Sequence, residues 1–160
     1  MGLLIVLLDV SVNGYDMVPD ALGWVLVFTG VLQLRAALDN AGTLLALAAL
    51  AGAVSVALFF PAVLDAVPAS GQWLLSLPEV AFSIVLCGSV ARLVEHDEPT
   101  VASRMRGLRW FFVALAFAPA LVYGGRVAAL VLPIAVVAVA ANVYLVYLVF
   151  KVSRKEYALA

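Results

Sequence analysis

An uncharged, mostly aliphatic stretch from 42 to 64 constrains the fold more than any other feature of the chain. As an α-helix it is long enough to cross the roughly 30 Å hydrocarbon core of a bilayer. A second stretch, 127–150, also carries no charge. With 66% hydrophobic and 12% charged residues, the chain holds about half the charge of an average soluble domain. The sequence therefore predicts an all-α, polytopic transmembrane helix bundle that forms one membrane domain, 1–160.

Apolar runs and the Pro, Gly and charged residues between them predict five spans, which are 19–38, 42–64, 74–94, 108–123 and 127–150. Residues 1–18 predict a short N-terminal helix followed by a polar motif. Its apolar part, 2–12, is short for a span and is interrupted by Asp9, so it either crosses as a sixth span or re-enters. The hydrophilic segment 95–107 predicts a cytoplasmic loop, and 151–160 predicts a cytoplasmic tail.

The distribution of basic residues predicts the orientation, because Lys and Arg collect on the cytoplasmic side of membrane proteins. Of the 9 basic residues, Arg126 alone falls on the outer side when the chain is threaded through these spans. The others fall on the inner side and are Arg35, Arg92, Arg104, Arg106, Arg109, Lys151, Arg154 and Lys155. The C-terminus is therefore predicted inside, and the N-terminus is also inside if six spans form.

The segment 13–20 is a polar, turn-rich stretch between two apolar runs. Asn13 begins an Asn-Gly turn signal, and Pro19 suits the first turn of a helix. Oxygen ligands from Asn13, Asp16 and Asp20 suit a hard cation, although their spacing is not that of an EF-hand loop. Two interpretations stay open: these side chains shape a turn and a helix start, or they contact a ligand or ion.

Two ionisable residues, Asp9 and Glu79, lie within apolar runs, where charges are costly and commonly functional. Arg126 is the predicted partner of Glu79, because both fall near the outer edge. Their pairing predicts either a salt bridge that joins two spans or part of a transport or proton path. The candidate ligand or ion residues are thus Asp9, Asn13, Asp16, Asp20, Glu79 and Arg126.

A basic, aromatic stretch leads into the start of the fourth span and predicts a juxtamembrane helix that contacts anionic lipid headgroups. Its contact residues are Arg104, Arg106, Arg109 and Trp110. The single histidine, His96, lies beside carboxylates in a segment predicted to be solvated, and one histidine does not make a conventional zinc site. The sequence predicts no metal, cofactor or catalytic residue, and a net charge of -1 argues against a nucleic-acid partner.

Smaller expectations concern packing inside the spans. Gly23 and Gly30 are predicted to allow neighbouring helices to approach closely. Cys87, the only cysteine, lies in an apolar run and is predicted to be a buried thiol. Asn142, inside the last span, is predicted to form an interhelical hydrogen bond.

The string DVSVNGYDMVPDALGWVLVFTG resembles the N-terminal signature of a family of small, uncharacterised bacterial integral membrane proteins. The residues that match are Asp9, Asn13, Gly14, Tyr15, Asp16, Pro19, Asp20 and Gly23. The resemblance covers the polar motif and the span that follows it. It implies a multi-pass protein of the bacterial cytoplasmic (inner) membrane and carries no activity with it.

The favoured interpretation is a non-enzymatic accessory or structural membrane subunit, whose outward-facing motif organises the bundle or binds a small ligand or partner. The alternative is a small oligomeric transporter or channel, whose path would be lined by Asp9, Asp20, Glu79 and Arg126. An enzyme acting on lipid is the least favoured class, because the carboxylates are scattered. The predicted partners are the lipid bilayer and either a second copy of the chain or another membrane subunit.

Overall fold

The computed structural model describes residues 11–12, 15–16, 20–125 and 131–153. Its elements in chain order are β1 (Ser11–Val12), β2 (Tyr15–Asp16), α1 (Asp20–Gln33), α2 (Ala41–Leu58), α3 (Pro61–Ala66), α4 (Ala69–Leu93), α5 (Pro99–Gly125) and α6 (Val131–Ser153). The two strands are antiparallel, with Ser11 opposite Asp16 and Val12 opposite Tyr15. Apart from this pair of two-residue strands, the regular structure of the described residues is helical, as predicted.

Three helical segments are long and apolar enough to cross a membrane, namely Ala41–Leu58, Gly71–Leu93 and Leu132–Ser153. A shorter apolar segment, Leu22–Gln33, lies in α1. Within its described residues the chain is thus a helical protein with three candidate membrane spans. The larger number of five or six spans stays a prediction.

The hydrophilic segment 95–107 is mostly helix rather than the predicted loop. α5 begins at Pro99, where a residue without a backbone N–H costs no hydrogen bond. The connection from α4 is therefore only 94–98. α5 is 27 residues long, or about 40 Å at 1.5 Å per residue, so its first turns carry the basic residues beyond the apolar run.

Other helix boundaries also differ from the predicted ones. The stretch 42–64 is broken after Leu58, and α3 begins at Pro61, because a proline ring disfavours helical geometry in the residue before it. α4 begins at Ala69 rather than at 74 and contains Pro78 in its interior. The last residues of the predicted N-terminal helix, Ser11–Val12, form a strand instead, and residues 1–10 lie outside the described part.

The long helices pack in sequence, α1 against α2, α2 against α4, α4 against α5, and α5 against α6. The short connections 34–40 and 94–98 make their flanking helices antiparallel neighbours. Both connections lie at one end of the bundle, because Arg92 at the end of α4 forms a salt bridge with Asp39. We call this the basic end of the bundle.

The most deeply buried side chains lie toward the basic end. Leu44, Val94, Met105 and Leu148 are all 0% exposed; Val94 directly follows α4, and the others come from the basic ends of α2, α5 and α6. Large apolar side chains farther from this end are exposed, including Leu74, Phe117 and Leu132. Acyl chains are as apolar as leucine, so a bilayer would cover such faces without cost.

Trp24 brings three helices together near the middle of the bundle. Its ring lies edge-on to Phe82 of α4, with the ring centroids 5.4 Å apart and the planes at 88°. Its Cβ lies 3.2 Å from the position that a Cβ on Gly52 of α2 would take. Through Trp24, Gly52 and Phe82, the helices α1, α2 and α4 thus contact one another. The close approach predicted at Gly30 is wrong, because nothing lies within 4 Å of a Cβ built there.

Polar side chains within the helices bond mainly to their own backbone. Asn142 Nδ2 donates to the carbonyl of Ala138 at 3.2 Å, so the predicted interhelical bond of Asn142 is wrong. The Ser83 hydroxyl likewise donates to the Glu79 carbonyl at 3.1 Å. Such bonds to a carbonyl one turn earlier satisfy a polar group without help from a neighbouring helix. Cys87 is buried as predicted.

Candidate functional site

The predicted ligand and ion residues fall mainly outside the described side chains. Asp9, Asn13 and Arg126 lie outside the described residues. For two others the structure describes the backbone, which places Asp16 in β2 and Asp20 at the first position of α1. Their roles, and the pairing of Arg126 with a carboxylate, stay predictions.

Glu79 lies farther inside its helix than the sequence predicts. A span that began at 74 would place it near the outer edge, whereas α4 begins at Ala69, about 7 Å earlier along the axis. Its side chain is half-buried. Pro78, just before it, has no N–H to donate to the preceding turn of α4. The carboxylate therefore lies within the helix, directly after its internal proline, rather than in the first turn.

Two salt bridges connect the elements at the basic end. Arg92 Nε donates to Asp39 Oδ2 at 3.0 Å, and Arg106 Nη2 donates to Glu95 Oε1 at 2.7 Å. The four side chains are between 46% and 68% exposed, so each pair contributes about 0–1 kcal/mol to stability. They connect 34–40 to the end of α4 and 94–98 to the first turns of α5. Sequence reasoning missed both pairs, although opposite charges near two short connections were a usable signal.

The predicted lipid-contact residues lie on the first turns of α5 and are all exposed: Arg104, Arg106, Arg109 and Trp110. Trp110 is 70% exposed. Arg109 lies against α4, since its Nη1 and Cζ atoms are 3.5 Å and 3.7 Å from the position of a Cβ on Gly88. The salt bridges of the described residues include neither Arg104 nor Arg109. All four predicted contact residues are thus exposed, but their surroundings differ. Arg106 pairs with a carboxylate, whereas Arg109 lies against α4.

Other polar groups in the described part of the chain do not converge. Across the described residues, no three His, Cys, Asp or Glu side chains come close enough to hold a metal ion. His96 and Asp97 are exposed in the turn between α4 and α5. The hydroxyl of Ser89 is buried and has no hydrogen-bond partner among the described residues.

The basic end is therefore the candidate site with the most described side chains. The resemblance of the N-terminal motif to small bacterial integral membrane proteins stays a prediction, because much of that motif lies outside the described residues. Comparison of the chain with protein-family models, with curated proteins and with solved structures finds no match.

Proposed function

We propose that the chain is a multi-pass protein of the bacterial cytoplasmic membrane and acts as a non-enzymatic accessory or structural subunit. The observation that carries the proposal is the apolar packing between its helices. The buried residues of the described part are hydrophobic or glycine except for Ser83 and Ser89. A path for ions or protons would call for polar side chains facing the bundle interior, whereas a dry bundle suits a subunit that stabilises or recruits other membrane components.

Two more helices support a count of five spans. α1 is 14 residues long, or about 21 Å at 1.5 Å per residue, and its segment Leu22–Gln33 is apolar. α5 carries its charged residues in its first half, and 110–125 has none. With five spans, the accumulation of Lys and Arg on the cytoplasmic side of membrane proteins supports a basic end and a C-terminus inside. Residues 2–12 would add a sixth span.

Cysteine labelling of spheroplasts, before and after lysis, tests this topology. Cys87 is buried and is first replaced by Ala, after which Gln72→Cys and Asp97→Cys are made separately. Because α4 crosses the membrane between these positions, we expect a membrane-impermeant maleimide to label Gln72→Cys in spheroplasts. Asp97→Cys should be labelled only after lysis. Labelling of both positions from the same side would contradict a crossing by α4.

Substitutions in the N-terminal motif test whether it organises the bundle. Asp16→Asn and Asp20→Asn remove negative charges beside the start of α1, where the helix dipole stabilises a carboxylate. Asn caps a helix about as well as Asp, so we expect each substitution to lower the free energy of unfolding in detergent by about 0.5 kcal/mol, from the lost charge alone. Asp97→Asn, in an exposed turn, should leave the melting temperature unchanged. If the motif variants melt normally but abolish a cellular phenotype, the motif binds a ligand or partner instead.

A further inference from the structure

Arg109 lies farther along α5 than the other charged residues of the basic end. Its Cα is about 15 Å beyond Pro99 at 1.5 Å per residue. Its guanidinium reaches Gly88, which is about 7 Å inside the end of α4 at Leu93. Phe111 follows Trp110 directly in the sequence. In a membrane-spanning bundle this charge would lie where the headgroups give way to the acyl chains.

The described carboxylates that form salt bridges at the basic end are already engaged by other arginines. Asp39 pairs with Arg92, and Glu95 pairs with Arg106. In the described part of the chain, no carboxylate lies within salt-bridge distance of Arg109. A guanidinium at that depth is costly without an anion. Its planar fork matches a phosphate with two parallel hydrogen bonds.

A second cation and exposed aromatic side chains lie near Arg109. Gly88 has no side chain, so the guanidinium lies directly on the backbone of α4. Arg92 follows one turn later on the same face, and its bond to Asp39 uses one of the five donors of its guanidinium. Trp110 is 70% exposed, as suits an indole at headgroup level. Phe117, two turns farther on the same face of α5, is 65% exposed.

We propose that the exposed guanidinium of Arg109, where it lies on α4 at Gly88, binds the phosphate of an anionic phospholipid. Arg92 provides a second cation, Trp110 packs at the headgroup, and an acyl chain runs along the α5 face that carries Phe117. This site rests on the membrane location proposed above and identifies lipid as a specific ligand. The depth of the guanidinium and the apolar face below it favour a lipid phosphate over a soluble one.

Titration of the purified full chain tests the site. In dodecyl maltoside, binding of phosphatidylglycerol is measured by native mass spectrometry, with phosphatidylcholine as the zwitterionic comparison. We expect Arg109→Gln to weaken phosphatidylglycerol binding roughly tenfold, as loss of one charge-assisted contact implies. The matched control Arg35→Gln removes the same charge from an exposed position in the connection between α1 and α2 and should leave binding nearly unchanged. Equal losses in the two variants would overturn the proposal, because they indicate diffuse attraction.

A second variant tests the position of Arg109 on α4 without removing the charge. A Cβ at Gly88 would already be in van der Waals contact with the Arg109 guanidinium, so Gly88→Leu should push the guanidinium off α4 and weaken phosphatidylglycerol binding as strongly as Arg109→Gln. Retained affinity in this variant would overturn the placement of the site at Gly88, and it decides the matter if Arg109→Gln does not fold. Inorganic phosphate that competes with the lipid at equal concentration would overturn the lipid as the source of the phosphate. Loss of this site would leave the cysteine-labelling result intact, so the two proposals fail separately.

Discussion

Phe82→Ala is expected to lower the free energy of unfolding by about 3 kcal/mol, the low end of the range for phenylalanine in a protein core. Phe82 is 1% exposed, and its ring lies edge-on to that of Trp24. Removing the ring leaves a cavity where α1, α2 and α4 meet. Between membrane helices the loss comes mainly from packing contacts, because lipid gives little hydrophobic drive for helices to associate.

Phe117→Ala is the matched control for this cavity. It removes the same ring from the middle of a long helix, but Phe117 is 65% exposed, so no cavity forms. We expect its effect to stay within about 0.5 kcal/mol, as for substitutions away from packed features. Both variants are measured by denaturant unfolding in dodecyl maltoside micelles. Equal destabilisation would contradict the placement of Phe82 in the core of the bundle.

Gly52→Val is expected to lower the free energy of unfolding by about 2 kcal/mol, in the range for overpacked cores. Even the Cβ of the new side chain would lie 3.2 Å from Trp24 Cβ, which is already tighter than ordinary packing. Since Trp24 Cβ is attached to the backbone, a change of side-chain rotamer cannot relieve the contact. α1 itself must move away from α2, and the ring contact with Phe82 is disturbed.

Gly30→Val provides the comparison for Gly52→Val. It makes the same change within a helix, but nothing lies within 4 Å of its Cβ position. We expect a change within about 0.5 kcal/mol, in the stabilising direction, because valine has the higher helix propensity. The melting temperature of each variant is measured in the same detergent. If Gly30→Val is the more damaging of the two, α1 packs on α2 through a different face.

The class of this protein follows from local sequence alone. The run 42–64 contains nearly all of a helix, Ala41–Leu58, that is apolar enough to cross a membrane, and the run 127–150 contains most of another, Leu132–Ser153. Pro61 marks a break that the restricted backbone around proline already predicts. The burial of Cys87 also follows from its apolar neighbours in the chain. These features depend on residues that are close together in sequence.

The contacts of the candidate site follow from no such local rule. Arg92 and Asp39 are 53 residues apart, and their pairing depends on which connections meet at one end of the bundle. Arg109 was predicted to contact lipid headgroups, but its position against Gly88 depends on how α4 packs against α5. Because α5 begins as early as Pro99, Arg109 lies about 15 Å along this helix rather than at its start.

By itself the sequence determined that the chain is helical and apolar, and that its basic residues follow or precede its apolar runs. Only the tertiary structure decided that a close approach between helices falls at Gly52 rather than at Gly30, and that Arg109 lies on α4. Hydrophobicity adds up over residues without direction, so it predicts a span from composition. A helix that is apolar all round does not show which side faces its neighbour, and that rotation is decided by the fit of large side chains against small ones.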